Sequence, residues 1–259
     1  MPIGPARMPF LQHFDELRKR AFVVFGVITV ATVAMYFFTN QIFKFVLAPV
    51  WPILGKGGIP VALGVLDPMT VRFGLAFWSA IVVCSPLIAW EIMAFLMPAL
   101  RPNERKWVIP TFLSMVVLFV GGVVFCYMLI LPASFQWLAD QSGDIMKFMP
   151  QAGDMLTVVE FFLLGFGIAF QTPIIVFYLV YFGVIPYKTL RENWRIIYVA
   201  ITIIAAGITP DWSPVSMGAL AVAMVILYEL SMLMCRVMLR RRIKAQREKE
   251  RADLEPEAA

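Results

Sequence analysis

The sequence predicts an all-α polytopic membrane protein with six transmembrane helices. Apolar residues make up 61% of the 259 residues and charged residues only 15%, whereas soluble domains are about half apolar and a quarter charged. The charges also divide the chain into six uncharged stretches. Each stretch must be helical in a bilayer, because an isolated strand leaves its backbone groups without hydrogen bonds. The stretches are 21–43, 73–90, 107–139, 161–187, 196–210 and 212–228.

These spans predict three parts of the chain. Residues 1–20 form a cytoplasmic amphipathic lead-in, residues 21–237 the six-span membrane domain, and residues 238–259 a charged cytoplasmic tail. The first uncharged stretch is longer than the apolar region of a typical signal peptide, and no small-residue cleavage site follows it. We therefore interpret it as a span that the mature protein retains.

The basic residues predict the orientation. Six spans place both termini on one side, and 18 of the 22 Lys and Arg residues then fall on that side. By the positive-inside rule this side is cytoplasmic, in the cytoplasmic (inner) membrane. The other side retains only Lys44, Lys56, Arg72 and Lys147.

The loops on the outer side differ in character. Residues 39–71 contain four Pro and several Gly residues, which predicts short broken helices and turns. Residues 132–157 form a second outer loop, and the third is only a turn. The last two spans are predicted to be short. Stretch 196–210 reaches roughly 22 Å as a helix, and the last span starts at Ser213 as N-cap and loses its uncharged character at Glu229.

Few residues could support chemistry. The three cysteines form no CxxC pair and there is a single histidine, so neither a disulfide framework nor a metal site is expected. Nucleotide-binding and hydrolase motifs are absent from the sequence, and the basic residues form no nucleic-acid-binding stripe. We therefore expect no catalytic residue, no cofactor and no nucleic-acid partner.

Gln171 is the polar residue predicted to lie deepest in the membrane. It follows Glu160 by eleven residues, roughly 16 Å along a helix. An interhelical hydrogen bond beside the break at Pro173 and a functional role are equally open. Glu91 and Glu229 are expected near the cytoplasmic edge, where a charge costs little.

Six short motifs follow one another in the order of the spans. The first is His13-x-x-Glu16-Leu17-Arg18-x-Arg20, in a segment whose apolar residues share one helical face. The others are Ala48-Pro49; Ala94-Phe95-x-x-Pro98-Ala99-Leu100 with Glu104-Arg105; Gly121, Phe125, Tyr127 and Pro132; Phe166-Gly167-x-x-Phe170-Gln171-x-Pro173; and Thr209-Pro210-Asp211. This ordered set resembles the TatC family, the multi-spanning core subunit of the twin-arginine protein translocase.

Two positions depart from the family pattern. Gln171 stands where the family often has Glu, and Glu91 stands where it more often has Gln. The first departure weakens any requirement for a titrating carboxylate at that depth. The turn at Asp211 also differs, because many relatives have one more Pro before the Asp.

The resemblance implies a receptor and scaffold rather than an enzyme. Members of the family recognise folded cargo through a signal peptide with two consecutive arginines, and transport draws on the proton-motive force. The implied partners are TatA- and TatB-type single-span proteins, twin-arginine signal peptides, the lipid bilayer and further copies of the chain.

The resemblance assigns signal-peptide binding to Glu16 and Glu104, together with Arg18, Arg20, Phe95 and Arg105. A carboxylate suits the rigid fork of a guanidinium better than it suits an ammonium. Each acid also has a structural alternative. Glu16 can pair with Arg20 one helical turn away, and Glu104 can lie in the first turn of the third span, where the helix dipole favours it.

Other residues are expected to serve assembly. Gln171, Thr209 and Ser216 are predicted to hydrogen-bond partner helices, and Pro49 and Asp211 to shape the outer loops. The alternative for the last two spans is a plain short hairpin packed on the other spans. A secondary transporter remains the competing class, although the sequence lacks the internal repeat that such proteins often show, and a membrane-embedded enzyme ranks third.

Overall fold

The computed structural model describes residues 10–54, 60–97, 105, 107–143, 149–209 and 213–239, with side chains from residue 14 onward. In these ranges the chain is helical, with turns and one isolated bridge between Val61 and Gln151. The helices are α1 (Phe10–Tyr36), α2 (Thr39–Leu47), α3 (Asp67–Val83), α4 (Ser85–Leu96), α5 (Val108–Phe125), a π-helical segment (Cys126–Ile130), α6 (Leu131–Ser142), α7 (Ala152–Ala169), α8 (Thr172–Tyr181), α9 (Tyr187–Glu192), α10 (Trp194–Ile208) and α11 (Pro214–Met238).

Residues 1–167 form one compact unit. Within it α1 packs on α3 and α4, and α4 packs on α5. The side chains of Leu75, Met93, Phe162 and Phe166 are buried at its core. Gly167 permits a close approach, because a Cβ at this position would lie 2.7 Å from the Phe119 ring.

Residues 168–259 form the second unit. Here α11 packs on α8 and α10, and Leu220, Met232 and Cys235 are buried along α11. The Tyr228 hydroxyl donates a 3.0 Å hydrogen bond to the Leu190 carbonyl, which ties α11 to α9. The predicted tail lies outside the described residues from residue 240 onward.

The all-helical membrane architecture is confirmed at the level of the individual helices. Four described segments are long and apolar enough to cross a membrane: Phe14–Tyr36, Val108–Ser142, Ala152–Tyr181 and Pro214–Met238. Helices α3 and α4 together make a fifth candidate, bent by 53°. Pro86 follows the bend, where its missing N–H leaves a gap in the helical hydrogen bonds. Helix α10 is the remaining apolar helix and has only 15 residues.

The prediction that both of the last two spans are short is half wrong. Helix α10 is short, as expected, but α11 has 25 residues and reaches roughly 37 Å. The sequence interpretation ended this span at its first charge, Glu229. The helix continues past that position because a partly exposed charge does not end an α-helix, and Glu229 is paired there with Arg191 at 3.1 Å and with the Tyr198 hydroxyl at 2.7 Å.

The boundary of the second outer loop is also corrected. Pro132 was expected to begin the loop, yet α6 continues to Ser142. A π-helical segment precedes the proline, and the N–H of Leu131 bonds the carbonyl of Cys126, five residues earlier. This wider turn accommodates a proline that would disrupt a regular α-helix.

The fourth span begins earlier than the uncharged stretch indicates. Helix α7 starts at Ala152, so Glu160 lies inside it. A turn at Phe170–Gln171 separates α7 from α8, with Pro173 in the first turn of α8. The predicted proline break is therefore confirmed, and Glu160 and Gln171 flank the middle of the 152–181 span.

Candidate functional site

The predicted signal-peptide region begins on α1. Residues 10–20 continue without a break into the rest of α1, so the lead-in and the first span are one helix. Glu16 and Arg20 are one turn apart and share a face. The Arg20 Nε and Nη2 atoms donate hydrogen bonds of 3.1 Å and 2.8 Å to the Glu16 Oε1 atom. The structural alternative for Glu16 is therefore present in the fold.

Glu91 of α4 completes the cluster. The Arg20 Nη1 atom donates a 2.8 Å hydrogen bond to the Glu91 Oε2 atom, which joins α1 to α4 across 71 positions of sequence. The three side chains are between 19% and 28% exposed, so the cluster is half-buried and open to solvent on one side. We call Glu16, Arg20 and Glu91 the acidic cluster.

The acidic cluster has an excess of negative charge. Two carboxylates share one guanidinium, which leaves a net charge of −1. Both Arg20 bonds to Glu16 end on Oε1, and the bond to Glu91 ends on Oε2. The other oxygen of each carboxylate accepts no hydrogen bond from any residue that the structure describes. Two charged acceptors are therefore available to an added cation.

Two of the other predicted residues, Arg18 and Phe95, lie on the same helices as the acidic cluster. Phe95 lies one turn beyond Glu91 on α4 and is half-buried. Arg18 is exposed, with its guanidinium carbon 5.6 Å from the centre of the Phe22 ring. Arg105 is exposed in the segment before α5. Glu104 lies outside the described residues, so the predicted Glu16–Glu104 pairing stays a prediction.

The residues predicted to serve assembly are dispersed. Gln171 is half-buried at the break before α8, where its backbone carbonyl accepts a hydrogen bond from the N–H of Ile174 at 3.0 Å. Thr209 is 6% exposed, and its hydroxyl donates to the Ala205 carbonyl. Ser216 is fully buried and bonded to the N-cap Ser213. Pro49 is half-buried in the turn after α2, and Asp211 lies outside the described residues.

Two acidic residues are more engaged in the fold than the sequence indicated. Glu91 departs from the Gln that the family more often has, and the sequence shows this departure. Sequence spacing predicts contacts within one helix only, so it could not link Glu91 to Arg20 on another helix. In the sequence Glu160 marks only the edge of an uncharged stretch, yet in the fold it is 8% exposed and faces Gly74 of α3. Its Oε1 atom has no hydrogen-bond partner among the described residues.

Comparisons with known proteins agree on one family. The family model described as Sec-independent protein translocase protein (TatC) matches residues 12–223. The Sec-independent protein translocase protein TatC of Deinococcus radiodurans is 32% identical over 249 residues, which cover 95% of this chain and 91% of that protein. The TatC protein of Escherichia coli K12 is 27% identical over 228 residues, which cover 88% of each chain.

Solved structures show the same fold. A crystal structure of the twin arginine translocase receptor TatC matches 86% of this chain and 98% of its own, with a TM-score of 0.75 and 24% identity. A second crystal structure of this receptor matches with a TM-score of 0.76 and 23% identity. With a family model matched over most of its length and a relative above 30% identity, the chain belongs to the TatC family of Sec-independent protein translocase proteins.

Proposed function

We propose that this protein is the signal-peptide receptor and scaffold subunit of a twin-arginine translocase, which exports folded proteins across the cytoplasmic membrane with the proton-motive force. As a TatC-family protein it is a transport component rather than an enzyme. The acidic cluster carries the proposal for the receptor role. It already binds one guanidinium between two carboxylates, and it retains one negative charge and two available oxygens.

This arrangement favours arginine over lysine as the incoming cation. A guanidinium donates from a planar fork and can bond the available oxygens of Glu16 and Glu91 together, whereas an ammonium is a compact and strongly hydrated charge. Arg20 keeps its bonds in such a complex. Glu104, from the neighbouring motif, adds a further carboxylate for the second arginine of the peptide.

The membrane topology follows from pairing helices into spans. The six spans are α1, α3 with α4, α5 with α6, α7 with α8, α10, and α11, with both termini in the cytoplasm. The distribution of basic residues supports this orientation. It places the start of α1 and the end of α4 on the cytoplasmic side, where a signal peptide arrives before transport.

The short span α10 offers an edge to TatA- and TatB-type single-span partners. Its apolar residues Ile196, Val199 and Ile203 are each at least 60% exposed, and Ala206 beside them is exposed and small. Small residues let two helices approach closely in a membrane. A helix of roughly 22 Å is also shorter than the hydrocarbon core, which favours association with other helices. Further copies of the chain could join the same assembly.

The receptor role is tested by peptide binding. Glu16→Gln should weaken binding of a twin-arginine signal peptide by about tenfold, because a hydrogen-bonded charge contributes about 1.5–3 kcal/mol and this site is partly solvated. Glu91→Gln should weaken it by roughly threefold, since Glu91 accepts one hydrogen bond from Arg20 where Glu16 accepts two, and a partly solvated pair contributes less than about 1 kcal/mol. The purified full chain in detergent and a labelled peptide suffice for the measurement.

Glu229→Gln is the matched control. Glu229 is also an acid that bonds an arginine, Arg191, but it lies on α11 away from the acidic cluster in sequence. It should leave peptide affinity unchanged. Equal affinity of wild type and the Glu16→Gln/Glu91→Gln double variant for the Arg-Arg peptide would exclude this cluster as the reader of the motif.

A further inference from the structure

We propose that a cavity between α2 and the start of α3 binds the headgroup of an anionic phospholipid. The cavity has a volume of about 390 Å³ and lies entirely within residues 1–167. Its floor is apolar, with Leu75 buried and Phe43 and Val71 half-buried. Two exposed cations, Lys44 and Arg72, stand among its lining residues. A headgroup with its attached chains matches both the charge and the apolar surface.

The shape of the cavity is set by hydrogen bonds. The Asp67 Oδ2 atom accepts from the N–H groups of Leu63 and Gly64 and from the Gln151 side chain, at 2.7–3.0 Å. These bonds hold the segment before α3 against the start of α7, and the bridge between Val61 and Gln151 reinforces them. Asp67 is thereby committed to the wall, with its negative charge directed to three donors.

Lys44 and Arg72, unlike Asp67, are not held by short hydrogen bonds to the described residues. Neither Lys44 nor Arg72 forms an ion pair with any residue that the structure describes. The nearest polar contact of Arg72 is a long 3.5 Å hydrogen bond from its Nη2 atom to the Asn40 side chain. Both cationic groups and the Asn40 amide line the same cavity, and a phosphate accepts hydrogen bonds from all three kinds of donor.

Basic residues are scarce on the predicted outer side of the membrane, yet two of them line this cavity. Only four Lys and Arg residues fall on the predicted outer side, and two of them line this one cavity. The positive-inside rule depletes this side of basic residues, so their concentration at one cavity calls for a local cause. A phosphate bound between them is such a cause.

The depth of the cavity favours a lipid over a soluble anion. Lys44 is the first charge after the uncharged stretch 21–43, and Arg72 is the last charge before the stretch 73–90. Lys44 lies on α2, just after the end of α1, and Arg72 lies near the start of α3, so in the predicted topology both are close to the outer boundary of the hydrocarbon. Phe45 and Phe73, the next residues along the two helices, lie outside the cavity lining and are 67% and 48% exposed, so α2 and α3 also carry apolar surface on which acyl chains can lie. Basic pockets between transmembrane helices bind anionic headgroups in this way.

The test is lipid binding to the purified full chain in detergent. We expect phosphatidylglycerol to bind the wild type and remain bound in native mass spectrometry, whereas phosphatidylcholine does not. Lys44→Gln/Arg72→Gln should weaken phosphatidylglycerol binding by roughly 30-fold, because two surface cations are lost. The exchange Lys44→Arg/Arg72→Lys should keep most of the affinity, which separates lost charge from a damaged fold.

A control variant removes two exposed cations from the predicted cytoplasmic side. Lys19→Gln/Arg236→Gln should bind phosphatidylglycerol as the wild type does. Equal binding by the Lys44→Gln/Arg72→Gln variant would overturn the site. Equal occupation by glycerol 3-phosphate without acyl chains would overturn the assignment to a lipid, since it would show a soluble phosphate-bearing ligand. None of these outcomes depends on signal-peptide binding.

Discussion

At the scale of the residue, Glu160 is a buried carboxyl group whose hydrogen bonds are incomplete. It lies on α7 with 8% exposure, faces Gly74, and has an oxygen without a hydrogen-bond partner in the described part of the chain. A buried polar atom without a partner costs about 1–3 kcal/mol. Ionisable residues inside spans are rare, and those that persist usually serve function. The role of Glu160 is tested by separating its effect on stability from its effect on export.

We expect Glu160→Met to raise thermal stability by about 1 kcal/mol, because an apolar side chain of similar length removes the unsatisfied oxygen. Thermal unfolding of the purified protein in detergent measures this change. Asp154→Asn, at an exposed position of the same helix, should change stability by less than about 0.5 kcal/mol. A lower melting temperature for Glu160→Met would mean that the carboxyl group has a stabilising partner. A stable variant that loses export would assign Glu160 a role in transport.

At the scale of the element, one glycine sets the contact between α5 and α7. A Cβ at Gly167 would lie 2.7 Å and 3.0 Å from two ring atoms of Phe119. Aromatic pairs continue the contact, with the Phe125 and Phe166 ring centres 6.1 Å apart. The Phe119 ring of α5 therefore lies against the backbone of α7 at Gly167, and a larger residue there must move the ring or the helix.

Gly167→Ala should destabilise the protein by about 1–3 kcal/mol through overpacking. Phe119→Leu in the same chain should recover part of the loss, because the ring atoms that clash are removed. Gly121→Ala provides the control, since nothing lies within 4 Å of an added Cβ there and alanine is the better helix former. If the Gly167 and Gly121 variants melted alike, the close approach would not limit the packing of α7.

The edge of α10 supplies a second element-scale prediction. Ala206 is exposed, whereas Thr209 and Ser216 are buried and bonded within their own chain. A single cysteine at Ala206 should crosslink to a small single-span partner in membranes. Cysteines at Thr209 and Ser216 should crosslink weakly, since side chains there face their own unit. Strong crosslinks from the two buried positions and none from Ala206 would place docking on another surface.

At the scale of the whole molecule, the orientation in the membrane depends on α10. With only 15 residues it is the shortest candidate span, and the side on which the C-terminus lies changes if it does not cross. A periplasm-activated reporter inserted after Gly64 should be active, and the same reporter at the C-terminus should be inactive. Activity at both sites would show that the chain crosses an even number of times between them, whereas the six-span topology requires five crossings, and that topology would then be wrong.

Local sequence is sufficient to predict the class of protein, most span positions, the proline break in the fourth span and the Ser213 cap of the last. These features depend on local properties: uncharged length, the missing N–H of proline, and a serine oxygen that bonds an N–H three residues later. Such properties act over one helical turn or along one helix, so their effects can be deduced without knowing which helices are neighbours.

Tertiary structure decided what depends on contacts between distant segments. Only packing brings Glu91 to Arg20, 71 positions away, and so creates the acidic cluster. Only packing buries Glu160 against Gly74 and places Lys44 beside Arg72 at one cavity. The length of α11 was missed because a charge at a membrane edge does not end a helix, and Arg191 and Tyr198 bond Glu229 there from other helices. The sequence gives the sign and the approximate depth of a charged side chain. The free energy of burying that side chain depends on the neighbours that the fold places around it.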